Sequence, residues 1–92
     1  MVLKFTHTVE IDWMLPRIAP TGRRVEVALV VVVHFRDSKV AHEHIYWDQA
    51  SVLAQLGLID AATLPVCSGD TARKALDPSL PANALIRRAA PM

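Results

Sequence analysis

Apolar and polar residues alternate from the first positions of the chain. Leu3, Phe5, Val9, Ile11, Trp13 and Leu15 fall on one parity with His7 among them, and Lys4, Thr6, Thr8, Glu10 and Asp12 fall on the other. A period of two from Val2 to Leu15 predicts a strand, which Pro16 ends because proline has no N–H to give to a ladder. Two prolines and a glycine between Pro16 and Gly22 mark a loop. The alternation resumes from Arg23 to Arg36, with Val25, Val27, Leu29, Val31, Val33 and Phe35 on one face and Glu26, Ala28, Val30, Val32 and His34 on the other. Both parities are apolar in the middle, as in a strand covered on two sides. Asp37-Ser38 predicts a two-residue hairpin turn into a third strand, Lys39 to Trp47. With Arg36 opposite Lys39, uninterrupted pairing sets Val33 against His42, Val31 against His44, Leu29 against Tyr46 and Val27 against Asp48. On the other face Val32 meets Glu43, Val30 meets Ile45 and Ala28 meets Trp47.

From Asp48 the period changes. Asp is a preferred helix N-cap and Gly57 a natural stop, so Gln49 to Leu56 is expected to form two helical turns, with Val52, Leu53 and Leu56 as the apolar stripe. Beyond Leu58 the signals weaken. Asp70 is placed to cap a short helix over 71–76, ended by Pro78, and the rest reads as an extended tail. The tail nevertheless carries Leu64, Val66, Leu76, Leu80, Leu85 and Ile86, too many apolar residues to stay solvated. It is expected to pack across a surface of its own chain or a partner's. The fold class expected is therefore α+β: a curved antiparallel β-sheet made of a long hairpin plus one strand, a short helix, and a tail. The division is 1–58 for sheet and helix and 59–92 for the tail.

Composition narrows the function. With 92 residues the chain is one domain at most, of a size that is only marginally stable alone. Apolar residues make up 52% of it, above the usual globular share, and need cover. We therefore expect a homo-oligomer, a dimer or higher, through the face carrying Val30, Val32, Ile45 and Trp47. The net charge of +1, with scattered basic residues, gives no sign of nucleic-acid binding. The longest apolar run, Val27 to Val33, is too short to span a membrane. Cys67 is the one cysteine, so no intrachain disulfide forms and a reducing, cytoplasmic setting is expected. Glycines at 22, 57 and 69 are too far apart for a phosphate loop, and no cofactor is expected.

The strand HTVEIDW, the loop with PTG, the Val-rich strand, the hairpin and the segment HEHIYWDQASVLAQLGL together resemble the nuclear transport factor 2-like superfamily, in its SnoaL-like branch. The most specific stretch runs from Glu43 to Gly57, and the resemblance covers about residues 3 to 58. It implies a curved antiparallel sheet wrapped on helices into a cone with a deep apolar pocket. It also implies a choice between non-catalytic ligand binders and cyclases, hydratases or isomerases, many of them dimers. The N-terminal helices that close such a cone have no counterpart here, so a natural short form or a fragment is expected.

Asp48 matches an aspartate that serves acid–base chemistry in several members of the superfamily. At the rim of an apolar pocket desolvation would raise its pKa into a useful range. The competing reading is that Asp48 only caps the helix behind it. In the register above, Asp48 forms a polar strip with His44 and Tyr46. These three, with His7, are the candidate catalytic residues, and His42, Val31, Leu29, Phe5 and Val9 the candidate ligand-binding ones. His7, on an apolar face, also reads as a satisfied core histidine. His7, His42 and His44 on one sheet face would offer three imidazoles to a metal. No carboxylate is evident to support them, so no metal site is expected. Small-ligand binding ranks first and acid–base catalysis second.

Overall fold

A computed structural model describes residues 1–81 and Leu85. Three strands, β1 (Val2–Thr6), β2 (Arg24–Arg36) and β3 (Lys39–Trp47), form one antiparallel sheet in the order β1-β2-β3. Two short helices follow, α1 (Gln49–Gln55) and α2 (Asp70–Leu76). The α+β class and the antiparallel sheet are as the alternation predicts. The remainder of the tail, including Ile86, lies outside the described residues.

The first strand is shorter than its pattern. It ends at Thr6, although His7 still exchanges two backbone hydrogen bonds with the far side of the loop, His7 N–H to Arg23 O and Gly22 N–H to His7 O, both 2.8 Å. Beyond that the partner strand runs out at Pro20, which has no N–H. The chain turns instead, closing with Leu15 N–H donating to Ile11 O at 2.7 Å. Met14 and Leu15 are buried, whereas Val9 and Trp13, expected on the inward face, are largely exposed.

β2 is the central strand, but its two halves have different neighbours. Val2 to Thr6 pair with Ala28 to Arg24, and Leu29 to Arg36 pair with Trp47 to Lys39. The basal half therefore lacks a strand on β3's side. Gln55 fills that gap: its side-chain oxygen accepts from Glu26 N–H at 2.8 Å and its amide donates to Glu26 O at 2.9 Å. One side chain thus stands in for the missing strand, which satisfies a backbone pair that would otherwise be costly to bury.

The core lies on this basal half. Val25, Val27 and Leu29 point inward against Val52 and Leu56 of α1 and Met14 and Leu15 of the loop, with Leu3, Phe5, Ile18, Leu53 and Trp47 around them. α1 is fixed at both ends. Asp48 Oδ1 accepts from Ser51 N–H at 3.1 Å, and Leu58 N–H to Leu53 O with Gly57 N–H to Ala54 O, both 3.0 Å, close it. Gly57 has φ +77°, the left-handed C′ residue of a Schellman motif. α2 belongs to the same body: Ser51 Oγ donates to Ser68 O, and Arg73 reaches the Glu26 carboxylate at 3.1 Å. Gly69, not Asp70, is its N-cap. A Cβ at Gly69 would meet the ends of the Arg73 and Gln55 side chains at 2.9 Å and 3.2 Å, so a larger residue there would push the Arg73 guanidinium aside. Asp77, just after α2, accepts from the Ser79 hydroxyl and then from its N–H, which holds its carboxyl below the usual carboxylate range.

The distal half of the hairpin departs most from expectation. The turn has two residues as predicted, Asp37 at φ 52° and Ser38 at φ 64°. Phe35 then pairs with Val40, but His34 pairs with His42, so Ala41 is an extra residue in a β-bulge. Every later pair moves by one, and a one-residue slip turns side chains to the opposite face. Val33 stands against Glu43, Val31 against Ile45 and Leu29 against Trp47; Val32 stands against His44 and Val30 against Tyr46. The polar strip of His42, His44 and Tyr46 does not face Val33, Val31 and Leu29. Nor do Val30, Val32, Ile45 and Trp47 share a face.

Candidate functional site

On the inner face, just beyond the core, the sheet continues into the hairpin with no helix over it. An apolar hollow of about 300 Å³ opens there, lined by Met1, Leu3, Trp13, Leu29, Val31, Glu43 and Ile45. Each wall has a sequence cause. Leu3 and Leu29 lie on the inward parity of paired strands. Trp13 is carried in by the Ile11–Leu15 turn and meets Trp47 edge to face, with ring centres 6.4 Å apart. Glu43 and Ile45 face inward only because of the bulge at Ala41. Glu43 is the one ionisable side chain in the lining, so a molecule held there meets mostly hydrocarbon, one indole and one carboxylate.

The sequence-predicted residues are dispersed around this hollow rather than gathered in it. Leu29 and Val31 line it; Phe5 packs against the core instead, and Val9 is exposed. His42, His44 and Tyr46 stand exposed on the outer face. His44 and Tyr46 stack with ring centres 6.5 Å apart. Asp48 is exposed and engaged as the α1 cap. It does not line the hollow.

His7 is fully buried, as its place among apolar residues suggested. Thr21 N–H donates to its Nδ1 at 3.1 Å, with the Thr21 hydroxyl oxygen 3.0 Å away. Nδ1 is therefore an acceptor and the ring proton sits on Nε2. That Nε2 is a buried nitrogen without a hydrogen-bond partner. His7 lies beside Arg23, and His42 lies opposite His34, eleven residues further along β2. At 3.2–3.4 Å per residue this puts them roughly 35 Å apart, so they share no site.

Sequence reasoning missed Met1, Leu3, Trp13, Glu43 and Ile45. One signal for the last two was present. Val40 is apolar on one parity of β3, whereas Ile45 and Trp47 are apolar on the other. A single inserted residue between them brings all three to one face, and Ala41 is that residue. Trp13 carried no comparable signal, because the strand pattern continues smoothly through a segment that turns.

Among the described residues no three His, Cys, Asp or Glu side chains are arranged around a common ion position. No helix there is long and apolar enough to cross a membrane. Searches among curated proteins and among solved structures find no match. The sequence profile of the SnoaL-like polyketide cyclase family matches residues 1–56, which span β1 to the end of α1 and every residue that lines the hollow, and the chain belongs to that family.

Proposed function

We propose that this domain binds a small apolar molecule in the hollow between Trp13 and the base of the hairpin, and that it does so as a homo-oligomer. The apolar lining carries the reading: six of its seven residues have apolar side chains, and four of these, Leu3, Leu29, Val31 and Ile45, stand on paired strands. The open side supports the second half. Beyond the hollow the inner face continues as Val33, Phe35 and Val40, with Phe35 and Val40 widely exposed. A second copy laid on this strip would bury it and wall off the hollow. The proposed contact therefore uses the inner face of the arm; of the four residues first expected there, Ile45 and Trp47 lie on this face and Val30 and Val32 on the other. A lone reduced cysteine fits a cytoplasmic protein.

Tryptophan fluorescence tests the binding. A planar polycyclic phenol titrated into the protein is expected to quench emission saturably at one site per chain, and Trp13→Ala should abolish the saturable part. Quenching that stays linear in probe, or survives Trp13→Ala unchanged, would refute the reading.

Family membership favours a second reading, in which the bound molecule is turned over by acid–base catalysis of the cyclase, hydratase or isomerase kind. Asp48 is its proposed acid–base group, with His44, Tyr46 and His7 as assisting residues. In this reading the assembled oligomer must bring Asp48 to the ligand, because within one chain Asp48 serves α1.

A further inference from the structure

The bulge that carries Glu43 and Ile45 inward has a consequence on the other face. It sets His34 directly opposite His42, and His44 follows two residues later on the same side of β3. Three of the chain's four histidines thus stand together on one exposed face. The His34 and His42 rings lie parallel with centres 4.7 Å apart, and those of His42 and His44 are edge to face at 5.5 Å. Two imidazoles bound tetrahedrally to one zinc ion, at about 2.0–2.1 Å per bond, have ring centres roughly 5 Å apart. Both neighbouring pairs of rings already stand near that spacing. The rings now stack instead of converging, but the side chains are exposed and turn between staggered rotamers at little cost.

We propose that His34, His42 and His44 form a surface site for a late first-row divalent transition-metal ion such as zinc, with His42 as the central ligand. Neutral imidazole suits zinc, nickel and copper(II), whereas calcium and magnesium need oxygen ligands that this face does not offer. Solvent completes the coordination. The neighbours on the face are Val32 opposite His44, Tyr46 with Val30 beyond it, and on the turn side of His34 the facing cations Arg36 and Lys39, whose charge works against the ion. The expectation of no metal was drawn for His7, His42 and His44, and it rested on the lack of a carboxylate to support them. His7 is buried near Thr21, and the bulge puts His34 in its stead.

Calorimetric titration of zinc into untagged, chelator-stripped full chain tests the site, with circular dichroism to confirm that each variant is folded. Saturable binding is expected. Losing even a supporting partner of a ligand costs about tenfold in affinity, so His42→Asn, which loses the central ligand, should weaken binding at least that much. His34→Asn and His44→Asn should each weaken it less. Proton NMR should show zinc moving the three exposed imidazoles and leaving His7 in place. No saturable binding of zinc, nickel or copper, or binding unchanged in His42→Asn, overturns the proposal. The site lies on the face opposite the hollow, so these outcomes are read separately from ligand quenching.

Discussion

Leu29 and Phe35 occupy the same strand and the same parity, six residues apart, and meet opposite fates. Leu29 is 6% exposed, under Trp47 and α1, whereas Phe35 is 63% exposed and has only the hairpin partner Val40 beside it. The difference is not in β2. Its basal half is flanked by β1 and by the Gln55 amide and is roofed by α1, Met14 and Leu15. Its distal half is one arm of a two-stranded ribbon, in a molecule 57 Å long and 20 Å thin. A two-stranded ribbon is marginal alone in water. A valine-rich strand therefore declares that it needs cover on both faces, and other parts of the molecule decide where cover is supplied. The arm, with its bare inner face, is where cover is still wanting.

Two substitutions test this contrast most strongly. Leu29→Ala removes a buried side chain at the edge of the hollow and is expected to cost about 2–5 kcal/mol in urea unfolding. Phe35→Ala should cost no more than about 0.5 kcal/mol if the arm is bare, as for other surface changes. If a second copy covers the arm, Phe35→Ala costs more, and the cost shrinks on dilution because dissociation removes it. Sedimentation at several concentrations separates the cases. A stable monomer, indifferent to Phe35→Ala, would refute the oligomer.

A smaller effect tests what ends the covered half. Gln55→Leu keeps side-chain bulk but strips Glu26 N–H and O of their partners. Leaving a partly buried backbone pair unsatisfied should cost about 1–3 kcal/mol. Amide exchange at Glu26 should accelerate with it, while the hairpin amides from Val30 to Phe35 stay as they were. Uniform acceleration along β2 would mean that the two halves are one cooperative unit.

The legibility of the chain follows the same division. The hairpin turn, α1 with its Asp48 cap and Gly57 stop, and the α2 region could be read because each is set by local chemistry within a few residues. The end of β1 could not, since it depends on where the partner, across a loop, loses its last N–H at Pro20. The site was the least legible part. Alternation gives parity, and parity gives a face only until a bulge intervenes. The single residue Ala41 exchanged His42, His44 and Tyr46 for Glu43 and Ile45 on the inner face. The phase slip from Val40 to Ile45 was the only trace it left in the sequence.

The smallest expected effect bears on whether the domain catalyses anything. Asp48 ends the exposed strand and begins the helix that roofs the core, so it sits at the boundary between the two regions. As a cap its carboxylate accepts one hydrogen bond, from Ser51 N–H at 3.1 Å. Asparagine caps about as well as aspartate, so Asp48→Asn should leave stability almost unchanged, and Asp48→Ala should lose about 1 kcal/mol. Both are read in the same urea titration. A catalytic Asp48 behaves differently in one respect only: its carboxylate must exchange a proton, which an amide does not do. Under the acid–base reading, Asp48→Asn therefore folds, assembles and quenches with ligand like the parent, yet loses turnover. Turnover that survives Asp48→Asn would leave Asp48 as a helix cap and turn the search for a proton donor to Glu43, the carboxylate that lines the hollow.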